Sequence, residues 1–177
     1  MRVIEYHGRG LPHSHILLWI KDCHKCFTAE QINQVVSCEL PVVDDDSSDC
    51  QKRLRNAVVH HMIHTCGEGR CLVDGKCSKG FPKPFSEETV VDSAGDFIPR
   101  RRNNGDSVVT RYRDPSTGKV TEQVSTNQYV VPYNRYCLAK YNSHTNIERV
   151  KCFSVLLYLL GYMLTRLKFQ GWAQYLG

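Results

Sequence analysis

The sequence predicts an α+β fold, an antiparallel sheet with flanking helices, on three observations. Two strand-like runs near the N-terminus are joined by glycines, later segments carry helical spacing, and a crowded apolar stretch lies near the C-terminus. No repeat runs through the 177 residues. The hydrophobic content of 41% is enough for one core of ordinary size, so the expected organisation is a single domain spanning 1–177. Strand-like residues begin immediately after Met1, so that domain is expected to be a truncated one.

Taken in order, residues 2–6 and 13–20 read as strands, and His7-Gly8-Arg9-Gly10 supplies the turn of a hairpin. The apolar run Ile16-Leu17-Leu18-Trp19-Ile20 predicts that the second strand is central. Thr28 reads as the N-cap of a short helix carried by Ile32, Val35 and Val36, with Pro41 ending the region. After an acidic loop at residues 44–49, helical spacing resumes over residues 51–63. Residues 86–123 are polar, with turns at 100–105 and 114–118 separating short strands such as residues 108–112. Residues 128–132 and 145–150 read as further strands. From 151 to about 167 apolar side chains crowd every face, as in a helix buried against a sheet.

Composition narrows the partners. Lys and Arg outnumber Asp and Glu, 23 against 18, a mild bias toward polyanions. The N-terminus has no basic region followed by an apolar stretch and a cleavage site, so the nine cysteines are expected to be reduced thiols of an intracellular protein. The longest apolar run, residues 155–164, falls far short of the roughly 20 residues a bilayer span needs, so no membrane partner is expected. Gly75-Lys76 is not a phosphate loop, because Arg70 stands where a glycine is required and Cys77 where Ser or Thr is required.

Three constellations carry chemistry. On a strand, His13 and His15 share a face about 7 Å apart, and pairing across the hairpin brings Glu5 beside one or the other. A carboxylate with two imidazoles suits Mg²⁺ or Mn²⁺. Alone, His-x-His is more often two surface or hydrogen-bonded histidines; the apolar run behind it is what singles it out. Tyr158 and Tyr162 would lie about 6 Å apart along a helix, so both hydroxyls reach one site. With a cation polarising a phosphate, either phenol becomes a nucleophile; without one, the pair is core material. Finally, His64, Cys66, Cys71 and Cys77, among glycines, suit a closed structural Zn²⁺ site within a Cys/His-rich segment, residues 60–85, with His60 and His61 as alternative fourth ligands. The Cys23-His24-Lys25-Cys26 motif has no second CxxC at finger spacing and reads as incidental.

In chain order these blocks resemble the replication-initiator domain of Helitron transposons, the Helitron helicase-like family. Gly8-Arg9-Gly10-Leu11-Pro12-His13-Ser14-His15-Ile16-Leu17-Leu18-Trp19 is similar to the family's histidine motif, and Gly75-Lys76-Cys77-Ser78-Lys79-Gly80-Phe81-Pro82-Lys83-Pro84-Phe85 to its cysteine-rich signature. Arg100-Arg101-Arg102, Val130-Val131-Pro132-Tyr133-Asn134 and Lys140-Tyr141-Asn142-Ser143-His144-Thr145-Asn146-Ile147-Glu148 follow in the family's order, and Tyr158 and Tyr162 fall at its catalytic tyrosines. The resemblance covers roughly residues 3 to 166.

It implies a HUH endonuclease fold with the zinc segment as an insertion, acting on single-stranded DNA in the nucleus through a 5′-phosphotyrosine, as in rolling-circle transposition. It further implies Glu5, His13 and His15 as ligands of the catalytic ion, and Arg100, Arg101, Arg102, Lys140 and Arg166 as DNA contacts. The family places a lysine and glycine after its second tyrosine, whereas Met163-Leu164-Thr165-Arg166 stands here, leaving Arg166 as the cation. The family's helicase domain is not among these residues. Two alternatives share the same residues: a catalytically inactive, zinc-stabilised DNA-binding remnant, and a metallophosphoesterase that uses water and not tyrosine.

Overall fold

The computed structural model describes residues 2–6, 12–16, 18, 20, 21, 28–66, 71–93, 96–113 and 118–147. They fall in two units, one within Met1–Lys25 and the other within Cys26–Glu148. The expected helix at 151–167, with Tyr158, Tyr162 and Arg166, and the Cys23–Cys26 motif lie outside the described residues.

The first unit holds a hairpin of β1 (Arg2–Tyr6) and β2 (Pro12–Ile16), antiparallel as expected. The second strand was expected to run to residue 20, but β2 stops at Ile16. Of the apolar run, the described residues Ile16, Leu18 and Ile20 are exposed, where a buried central strand was expected.

In the second unit, α1 (Ala29–Val35) starts where predicted, since Thr28 accepts from the Gln31 amide while the Gln31 side chain accepts from the Thr28 amide. Its apolar face is narrower than expected: Ile32 and the C-cap Val36 are buried, but Val35 is exposed. The longer α2 (Asp49–His61) begins with the same device, Ser48 against Gln51. A third helix that the sequence reading did not anticipate, α3 (Arg135–Tyr141), is capped by Asn134, which accepts from the Cys137 amide. It stops at Asn142, whose φ of +43° is one that asparagine tolerates better than most residues.

The remaining strands form short ribbons: β3 (Leu72–Val73) with β4 (Lys76–Cys77), β5 (Val90–Val91) with β6 (Phe97–Ile98), and β7 (Val108–Arg113) with β8 (Val120–Ser125). With β1–β2 they make four two-stranded antiparallel sheets among the described residues, where one continuous sheet was expected. Residues 128–132 are not a strand. Thr126 caps a 3₁₀ turn at Asn127–Tyr129, and Pro132 offers no amide to a ladder, so only isolated bridges remain, Val130 with Ile63 and Tyr133 with Ser37. Of the strand expected at 145–150, the described part makes one bridge, Asn146 with Tyr133.

The core sits where α2 and α3 meet this irregular segment: Leu40, Ala57, Val58, Met62, Val130, Tyr133 and Leu138. Each of the larger aliphatic side chains here, Leu40, Val58, Met62, Val130 and Leu138, is worth about 1.5–3 kcal/mol of burial, so this cluster organises the unit. Tyr133 is fully buried, and its hydroxyl donates to the Glu39 carbonyl at 2.9 Å. Among the described residues no helix is long and apolar enough to cross a membrane.

Candidate metal centre

Four side chains predicted as a zinc set converge in the second unit. The donor atoms of His64, Cys66, Cys71 and Cys77 all lie within 4.8 Å of one another. The His64 Nε2 atom is 3.5 Å from the Cys71 sulfur and 3.3 Å from that of Cys77. A tetrahedral ion with Zn–S and Zn–N bonds of about 2.3 and 2.0 Å separates such donors by about 3.6 Å, so the cluster has the dimensions and donor chemistry of a zinc site. His60 and His61 are not part of it; they end α2, edge-to-face with each other, and His61 Nε2 meets the Asn142 amide oxygen at 3.2 Å.

The scaffold comes from three places. Just past α2, the His64 amide donates to the Tyr129 carbonyl at 2.8 Å, beside the Ile63–Val130 bridge. The side chain of Gln123 on β8 clamps the next residues, donating to the His64 carbonyl at 2.9 Å and accepting from the Cys66 amide at 3.2 Å. Nothing in the sequence reading marked Gln123; its one signal is an amide side chain in the middle of a strand. Cys71 precedes β3 and Cys77 ends β4 of a hairpin whose two-residue turn, Asp74 at φ +50° and Gly75 at φ +73°, matches the twist of the strands. Bonds from the Ser78 amide to the Cys71 carbonyl and from the Gly80 amide to that of Cys77 close the loop. The His64 ring stacks on Phe81 at 4.1 Å between centroids, which fixes its plane.

The thiols feel one another. Burial, reinforced by Cys77 and Cys71, pushes the Cys66 thiol up to about 12. At Cys77 burial also acts upward, but the amides of Phe81 and Lys79 donate toward the sulfur and bring it below the ordinary thiol value. Three thiolates cannot share this volume without a countercharge, and a divalent cation supplies one.

The other predicted sites divide. The hairpin register pairs Glu5 with His13 and Val3 with His15, so Glu5, His13 and His15 occupy positions of one sheet face. Of the three arginines predicted to contact DNA, Arg102 is exposed and Arg100 partly so, but Arg101 is buried. Arg101 is only 4% exposed and donates to the carbonyls of Cys38, Asn127 and Val130, the second of which also accepts from the Val130 amide. Arg102 donates through one edge of its guanidinium, Nε and Nη2, to the buried Glu39, and Arg100 reaches the same carboxylate at 3.4 Å. These are structural contacts, so Arg101 is withdrawn as a DNA residue, and Arg100 and Arg102 spend their charge on Glu39. Lys140 remains exposed in the last turn of α3.

Neither a protein-family model nor a curated protein matches the chain.

Proposed function

We propose that this protein nicks single-stranded DNA and transfers the strand through a 5′-phosphotyrosine, in the manner of the Helitron replication initiators it resembles. The observation that carries the reading is the register of the β1–β2 hairpin, which sets Glu5 directly across from His13, with His15 two residues further on. Such a register is compatible with a carboxylate and two imidazoles sharing one ion. Mg²⁺ or Mn²⁺ bound there would polarise the scissile phosphate. The oxygen of Tyr158 or Tyr162 then forms a new P–O bond as the bond to the 3′ oxygen breaks. The proton lost by the phenol is balanced by the one gained on the free 3′ hydroxyl, and the bond energy is kept for rejoining.

The converging donors at His64, Cys66, Cys71 and Cys77 favour a second reading, a zinc-stabilised DNA-binding domain that keeps the fold without the reaction. Incubation with Mn²⁺ and a 3′-labelled single strand separates the two. A covalent protein–DNA adduct that disappears in the Tyr158→Phe, Tyr162→Phe double variant supports nicking. Absence of any adduct, with Mn²⁺ or with Mg²⁺ in its place, leaves the binding domain. Cleavage that persists in the double variant would instead indicate a phosphoesterase that uses water.

A further inference from the structure

We propose that the outer face of α3 is a stacking platform for single-stranded DNA, with Tyr136 and Tyr141 taking bases and Lys140 the phosphate between them; this rests on the single-strand reading above. Tyr136 is 68% exposed and Tyr141 62%, while the helix is held to the core by the fully buried Leu138. Neither ring is therefore needed to fold the helix. The Lys140 ammonium lies 5.4 Å from the Tyr136 centroid and 5.5 Å from that of Tyr141, and donates to the Tyr136 hydroxyl at 3.4 Å. A single cation is thus placed against two solvent-facing π surfaces.

The surroundings are matched to a polyanion. From Ser125 through Ile147 the chain contains no Asp or Glu, while it carries Arg135, Lys140 and His144. Aromatic rings paired with a cation on a segment without acidic residues are what sequence-tolerant binding of single strands uses, because every base has a face to stack and every linkage a charge to neutralise. A duplex hides its base faces and gains little from such a platform.

The test is fluorescence anisotropy of a labelled oligothymidylate with the full chain, no divalent ion added, across a salt series. Tyr136→Ala and Tyr141→Ala are each expected to weaken binding about 5-fold or more, whereas Tyr136→Phe and Tyr141→Phe keep wild-type affinity because the ring remains. Lys140→Gln is expected to lower the slope of log affinity against log salt by about 0.7. Alanine variants that bind like wild type, phenylalanine variants as weak as alanine, or a chain with no single-strand affinity would each overturn the platform. Binding that depends on the rings without any covalent adduct would sink the nicking reading and leave the platform standing. An adduct with ring-independent binding would do the reverse.

Discussion

Arg102 closes on Glu39 edge to edge, Nε to Oε1 and Nη2 to Oε2 both at 2.9 Å, and the Arg102 amide adds a third bond to Oε1 at 3.0 Å. Burial works to raise the Glu39 carboxyl, but these bonds and the charges of Arg100 and Arg102 outweigh it and hold the group below its ordinary value. A depressed carboxyl contributes stability that is present above its unfolded value, near about 4.3, and is lost as pH falls through the folded one. Glu39→Gln is expected to cost about 2 kcal/mol near neutral pH, at the low side for a broken buried pair because Arg102 is half exposed. Denaturant midpoints of the two proteins followed from pH 7 downward check this: the gap should narrow in acid, and a gap independent of pH would contradict it.

Arg101→Met removes the donor that three backbone carbonyls share. The Asn127 carbonyl keeps the Val130 amide, but those of Cys38 and Val130 lose this donor, so a cost of about 2–3 kcal/mol in equilibrium unfolding is expected. Its salt slope for single-strand binding should equal that of wild type, because the guanidinium is not at the surface. A drop of about 0.7 would mean that Arg101 meets phosphate after all.

For the metal centre, the purified chain is expected to hold one equivalent of zinc, and Co²⁺ in its place should give the absorption of a tetrahedral thiolate site. Cys71→Ser or His64→Ala should weaken retention of the ion, while His60→Ala and His61→Ala leave stoichiometry unchanged. Stripping the ion should lower the melting temperature by several degrees, since each kcal/mol lost is worth about 2–4 °C in a chain of this size. A cobalt spectrum that changes in the His61 variant would reassign the nitrogen ligand.

Tyr133→Phe keeps the ring in the core and removes the hydroxyl that donates to Glu39. A loss of about 1 kcal/mol in unfolding free energy is expected, the ordinary worth of a buried hydrogen bond, with little change in the dependence on denaturant.

Which of these features could be read beforehand depends on how local their causes are. The starts of α1 and α2 are set within four residues by Thr28 with Gln31 and Ser48 with Gln51, and the α1 start was legible. So was the zinc set, because a hairpin turn and nearby donors bring it together over a short stretch. Arg101 was misread for the opposite reason. A basic run has the same sequence whether it faces solvent or fills the gap left by residues 38, 127 and 130, which lie far away in the chain. α3 escaped notice because its seven residues carry too little periodicity, although Asn134 and Asn142 cap it at both ends.

The β3–β4 turn has a consequence for the order in which the centre assembles. Cys71 and Cys77 are brought together by a local hairpin, a structure of the kind that forms within about 1–10 μs, whereas His64 takes its place only when its amide finds Tyr129, across most of the unit. Half of the donor set is therefore a fast, local claw, and the other half waits for the core. An ion caught early by the two thiols would pass to full coordination as the last long-range contacts close, so metal uptake would serve as a clock for folding of this unit.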